Sequence, residues 1–176
     1  MIRGCALAVA FLVLNAAPAF AFRTCSLNAS GVAFGVFTGS STRSVGSITS
    51  VCVGSGTADY TLTLSTGSSG SYLSRQMMSS ANILSYNLYK DPATTQVLGD
   101  GTGGSTTISG RANGPEAALV TLYGKIPDQT TPPAGAYSDT IIATLRCFDL
   151  SCNTATTSFL VTANIQNACT LSLIHI

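Results

Sequence analysis

Histidine is nearly missing from this chain: its one copy is His175. Without another imidazole there is no Ser-His or Cys-His arrangement for nucleophilic catalysis, and no histidine beside the cysteines to complete a zinc site. Charge is scarce as well, with Asp, Glu, Lys and Arg together making 9% of the residues and no basic cluster anywhere. Nucleic-acid binding needs several cations on one face and is not expected. Helix-length apolar periodicity is also lacking, which leaves β-structure as the only regular reading. The acidic residues Asp91, Asp100, Asp128 and Asp139 stand beside Gly, Pro or Ser, where a carboxylate commonly bonds local backbone in a turn. Asp100, in Gly-Asp-Gly-Thr-Gly-Gly, lacks the further acidic ligands that calcium would need. No catalytic residue, cofactor or metal is therefore expected, and the protein is read as no enzyme.

What is present begins with a leader. Arg3 precedes an almost wholly apolar stretch over residues 5–17, and Ala19-Phe20-Ala21 places small residues where a signal peptidase inspects the chain. The apolar run is shorter than the roughly 20 residues of a spanning helix, and Pro18 interrupts its end. Cleavage after Ala21 is expected, and it leaves 155 of the 176 residues, enough for one domain with its own core. The remaining charges balance at seven basic and seven acidic, so self-repulsion is small, which suits a protein that assembles. Five cysteines stay behind: Cys25, Cys52, Cys147, Cys152 and Cys169. In an oxidising compartment these are disulfide candidates, and an odd number leaves one without a partner in this chain.

The body is rich in Gly, Ser and Thr, with short alternating runs that predict an all-β sandwich. Residues 48–53 form the first clear strand. Tyr60, Leu62 and Leu64 alternate with Thr61 and Thr63, and Leu84, Tyr86 and Leu88 alternate with Ser85 and Asn87. Tyr86 is expected in the core, with Tyr89, three positions on, at the surface or an edge; Met77 and Met78 read as core. Residues 99–104 and 113–115 are turns, a short strand covers 119–123, and Pro132-Pro133 forbids a ladder before the next strand. In that strand Ile141, Ala143, Leu145 and Cys147 share one face. Residues 149–158 read as a linker. Beyond it, Phe159, Val161, Ala163 and Ile165 fall on one face of a period-two segment over residues 159–166.

Arg75, Met77, Leu84-Ser85-Tyr86-Asn87-Leu88-Tyr89, Asp91, Gly99-Asp100-Gly101, Tyr123-Gly124 and Pro133-Ala134-Gly135-Ala136-Tyr137-Ser138-Asp139-Thr140 together resemble the spore coat protein U domain, over roughly residues 25–145. That family includes pilin subunits of the archaic chaperone-usher pathway. Leu98 departs from it, standing where the family often has Trp, and a packing change is expected there. The resemblance implies an immunoglobulin-like pilin sandwich that lacks its last strand and is completed by a donor strand. The open groove is filled first by a periplasmic chaperone and then by an extension of another subunit, by β-augmentation.

On that reading Phe159, Val161, Ala163 and Ile165 are the inward side chains of a donor strand, with roughly 5 to 8 kcal/mol of gross gain on burial, before ordering entropy. Their position ahead of Cys169 resembles the start of a second domain of the family. Only Phe22, Arg23 and Thr24 occupy the corresponding place before Cys25. The chain is thus read as the N-terminal part of a two-domain tip subunit. Its divisions are a signal peptide (1–21), a sandwich domain (22–148), a linker (149–158), and a donor strand with the start of a truncated second domain (159–171). The last five residues, 172–176, resemble translated adapter sequence and are treated as an artefact. Cys25 and Cys52 occupy the places of the family's disulfide, worth about 3.5 kcal/mol in the chain-entropy model. Order and distance favour Cys147 with Cys152, worth about 2 kcal/mol on the same model, although other pairings of the four remain open. Cys169 would pair in the missing remainder.

The expected function is a secreted structural or adhesive subunit of a chaperone-usher fibre, exported through the periplasm to the cell surface and acting in attachment or biofilm formation. Its expected partners are a periplasmic pilus chaperone, an outer-membrane usher, other pilin subunits, and an abiotic or host surface. Loops 65–71, 98–105 and 125–136 are the candidates for adhesion. A spore-coat-type structural protein and a secreted carbohydrate-binding sandwich are the alternative readings.

Overall fold

The computed structural model describes residues 23–113, 115–148 and 152–166. The leader, the centre of the linker, Cys169 and the final residues lie outside the described residues, as do the expectations attached to them. Ten strands account for the regular structure: β1 (Thr24–Ser30), β2 (Val32–Val36), β3 (Thr42–Val53), β4 (Thr57–Leu64), β5 (Arg75–Ser79), β6 (Asn82–Tyr89), β7 (Ile108–Asn113), β8 (Glu116–Ile126), β9 (Gly135–Cys147) and β10 (Ala155–Ile165). One 3-10 turn spans Gly67–Ser69, and no helix of the described residues is long and apolar enough to cross a membrane.

Strand neighbours run β1-β3-β8-β6-β5-β9-β10-β2, and β4 joins β9 to β7. β1 and β2 follow one another in the chain, separated only by Gly31, yet stand at the two ends of that order. The strands therefore wrap almost fully round one core. β6 switches layers: Asn82 to Tyr86 pair with β5, and Asn87 to Tyr89 pair with β8. Every strand pairing is antiparallel except that of β10 with β2.

Alternation decides which side chains form the core. In β9, Tyr137, Ile141, Ala143 and Leu145 are buried, while Ile142 between them is half exposed. Leu62 and Leu64 of β4, Met77 of β5, and Leu84, Tyr86 and Leu88 of β6 join them. Leu98 is fully buried. β2 presses Val32 and Phe34 onto β8 at Gly124, where a Cβ would lie 2.7 Å from Val32 and 2.8 Å from the Phe34 ring. A side chain at 124 would push β2 outward and open the core.

Several elements differ from the sequence expectation. β2 and β7 are not among the expected strands, β1 is implied only by the place of Cys25 in the family's disulfide, and β3 and β8 extend well beyond residues 48–53 and 119–123. Met78 is 42% exposed, because parity sends it outward once Met77 points in. β10 starts at Ala155, taking in residues 155–158 that the pattern assigned to the linker. Asp139 stands inside β9 and is buried, not in a turn.

Candidate functional site: the strand position between β9 and β2

β10 supplies the four residues singled out by their spacing. Phe159, Val161, Ala163 and Ile165 are each 5% exposed or less, whereas Leu160, between two of them, is 54% exposed. Along β9 the ladder runs from Ala155 opposite Leu145 to Ile165 opposite Gly135. On the other side Val161 stands opposite Val32 and Thr162 opposite Ala33 in the parallel pairing with β2, with a register shift before Asn164. Beyond β2, the Phe37 amide donates to the Asn164 carbonyl at 2.9 Å. Ala163 faces Tyr137, a small residue opposite a large one. At Gly31 a Cβ would come within 2.6 Å of the Leu160 carbonyl oxygen, so the chain can pass this close to β10 only without a side chain there.

The entry to β10 is anchored at several points. Cys147, the last residue of β9, is bonded to Cys152, and Cys25 is bonded to Cys52 across β1 and β3. Cys25–Cys52 is the pairing that the family resemblance implies. Between these disulfides Asn153 bridges the strands. Its Oδ1 accepts the Cys25 amide hydrogen at 2.6 Å, its Nδ2 donates to the Cys25 carbonyl at 3.0 Å, and its own amide donates to the Arg23 carbonyl at 3.3 Å. Arg23 is fully buried, pairs with Cys152 in a short parallel bridge, and donates from its guanidinium to the Gly56 carbonyl.

A buried polar network holds the layer-switching strand. Arg75 is fully buried, with its guanidinium 5.2 Å from the centre of the Tyr72 ring. It donates to the Asn87 side chain at 2.7 Å, to the Leu98 carbonyl at 2.7 Å, and twice to the Ser65 carbonyl at 3.1 and 2.8 Å. Asn87 in turn donates to the Tyr72 carbonyl at 2.8 Å. Burial pulls the Arg75 pKa below its ordinary value, with nearby phenols and Asp139 opposing the shift. Asp139 accepts from the Tyr86 hydroxyl at 2.7 Å, the Ser68 amide at 3.0 Å and the Thr140 amide at 2.9 Å. Burial, and then the Asp139 carboxylate, push the Tyr86 phenol well above its ordinary value. These groups satisfy one another and form no cluster of three metal-ligating side chains among the described residues. In the sequence Arg75 stands out only as part of the family pattern, and Asp139 reads as a turn carboxylate as well. Their partners lie 12 and 53 positions away, too far for any local signal.

Two of the three loops named for adhesion come together. Ser65, Thr66, Gly70 and Ser71 of one and Asp100, Thr102 and Gly103 of the other line a shallow cleft of about 510 Å³, with Tyr72 and Leu73 between them. Residues 125–136 do not line it. There, Gln129 donates to the Ser85 carbonyl at 2.7 Å and Tyr137 to the Pro133 carbonyl at 2.7 Å, tying that loop along β6 and β9.

The family model for the Spore Coat Protein U domain matches residues 10–144, more than half of the chain. The chain belongs to the Spore Coat Protein U domain family. The match ends at residue 144, within β9, and β10 lies beyond it. No curated protein sequence matches this Spore Coat Protein U domain chain. Among solved structures it is similar to CfaE, the adhesive subunit of CFA/I fimbria of enterotoxigenic Escherichia coli. Identity is 12% and the TM-score 0.53, over 78% of this chain and 46% of that one. It is also similar to the CupB6 tip adhesin from Pseudomonas aeruginosa, with 11% identity and a TM-score of 0.48 over 77% of this chain and 41% of that one. The chain thus spans less than half the length of these two adhesins. The likeness to CfaE shows a shared sandwich fold.

Proposed function

We propose that this Spore Coat Protein U domain protein is a secreted subunit of a chaperone-usher surface fibre, placed at the fibre tip and acting in surface attachment or biofilm formation. β10 is its in-chain donor strand. The observation that carries this reading is the buried row of Phe159, Val161, Ala163 and Ile165 between β9 and β2, on a strand beyond the end of the family match. An extended segment in that place satisfies two sheet edges and buries alternate side chains, which is how β-augmentation works.

The tip position is supported by Arg23. From that buried residue onward the chain ahead of Cys25 is packed into the domain, and so is not free to complete a neighbour. The chaperone, the usher and the other pilins are the partners this reading requires. Adhesion is assigned to the cleft shared by loops 65–71 and 98–105.

Immunogold labelling of cells that make the protein tests the placement. Gold at fibre ends is the expected result; gold spaced along the shaft, or a shell without fibres, would contradict it.

A further inference from the structure

Resting on that reading of β10, the question is what selects its register. A slip of one residue would turn Phe159, Val161, Ala163 and Ile165 outward and is forbidden by burial. A slip of two is different. It keeps inward residues inward, and the backbone groups of β9 find equivalent partners again, because the strand repeat is two; on the other side the register shift before Asn164, and Ala163 opposite Tyr137, count against it. The β9 ladder and the apolar alternation alone do not exclude it.

The ends of the strand do. Asn153 presents its side-chain amide to both backbone groups of Cys25, donating to the carbonyl and accepting from the amide as a paired strand residue would. Cys25 cannot move to follow a slipped β10, since it is bonded to Cys52 and paired with it in the ladder of β1 and β3. On the other side of Asn153, Cys152 is tied to the end of β9. Two residues, Asn153 and Thr154, are all that separate the disulfide from the first residue of β10. A two-residue slip would have to be absorbed in that interval and would pull the Asn153 amide off Cys25.

We propose that Asn153 is the register-setting residue of β10, and that with the Cys147–Cys152 disulfide it reserves the position between β9 and β2 for this chain's own strand. A donor strand from another subunit, arriving without an amide aimed at Cys25 and without the covalent tie to β9, makes the same ladder but not the clasp. This domain therefore excludes foreign donor strands. Asn153 acts by positioning; it buries no apolar surface in the groove.

The test is uptake of a fluorescent peptide of residues 155–166 by the full-length oxidised protein, alongside Asn153→Ala, the Cys147→Ser/Cys152→Ser pair, and Leu122→Ala. The last destabilises the layer of β3 and β8 without touching the clasp. The wild type and Leu122→Ala should take up little peptide. Asn153→Ala should take it up about tenfold faster, on the scale of one or two lost hydrogen bonds, and the cysteine pair should behave likewise. Asn153→Asp keeps the acceptor for the Cys25 amide and loses the donor, so it should fall between; it also serves if the alanine variant does not fold.

Uptake by Asn153→Ala and Asn153→Asp no faster than by Leu122→Ala would overturn the proposal. Phe159→Asp in the full chain separates this failure from failure of the underlying reading. If Phe159→Asp melts like the wild type, β10 is not the completing strand at all. If it unfolds the domain while the clasp variants stay closed to peptide, only the role of Asn153 is wrong.

Discussion

The Tyr86 hydroxyl donates to the Asp139 carboxylate at 2.7 Å, joining β6 before it changes layers to the middle of β9. The phenol ionises only well above its ordinary value of 10.0, chiefly because burial disfavours the phenolate. In the unfolded chain it ionises near 10. The folded pKa is raised, so this contribution is fully present below pH 10 and is lost as pH climbs beyond it. Thermal unfolding at about pH 9 and about pH 11 should show a steeper alkaline loss for the wild type than for Tyr86→Phe.

Arg75 is a buried cation whose hydrogen bonds reach Ser65, Asn87 and Leu98. Truncation to alanine strands two carbonyls and an amide oxygen inside the protein, and should cost roughly 3 kcal/mol or more in urea unfolding. Arg75→Lys should rescue little of this, because an ammonium lacks the planar fork that serves three acceptors at once.

Parity along β10 gives a sharp pair of substitutions. Val161 is fully buried and Leu160 is 54% exposed. Val161→Asp should abolish cooperative unfolding at ordinary temperature, since it sets an unpaired carboxylate in an apolar row. Leu160→Asp, one position away, should change stability by about 0.5 kcal/mol or less. Circular dichroism melts of the two variants distinguish a strand inserted in this register from one lying loosely on the surface.

The two disulfides close loops of different length, with sequence separations of 27 for Cys25–Cys52 and 5 for Cys147–Cys152. In the chain-entropy model, replacing the first pair by serine should cost about 3.5 kcal/mol and the second about 2 kcal/mol. Guanidinium titrations of the two double variants measure the difference.

The sequence made some of this visible and hid the rest for identifiable reasons. β4, β9 and β10 could be read because each has one wet face and one dry face, and period two follows directly; β6 keeps that alternation only as far as Tyr86, because Asn87 is buried as well. β1 carries Ser26, Asn28 and Ser30 between Cys25, Leu27 and Ala29, and β7 holds Gly110 and Arg111. β1 does alternate, but Leu27 and Ala29 on its inward side are only partly buried, and both strands lie at sheet edges where each pairs with a single neighbour. Asp139 misled because an isolated Asp next to Ser favours turns, while its burial depends on Tyr86 far along the chain. Asn153 left no trace at all: an Asn in a polar stretch looks like loop, and only the meeting of the β10 entry with Cys25 gives it partners. The row from Phe159 to Ile165 was legible residue by residue; the earlier start of the strand at Ala155 was not, since Thr156 and Ser158 are polar on the outward face.

The central claim is that β10 completes the sandwich. It is tested most directly by thermal unfolding of residues 22–150 against residues 22–168, each with and without a peptide of residues 159–166. A short form that is unstable or insoluble alone and is rescued by the peptide is the expected result. Two forms that melt alike and ignore the peptide would contradict the account and make the first 150 residues a complete sandwich.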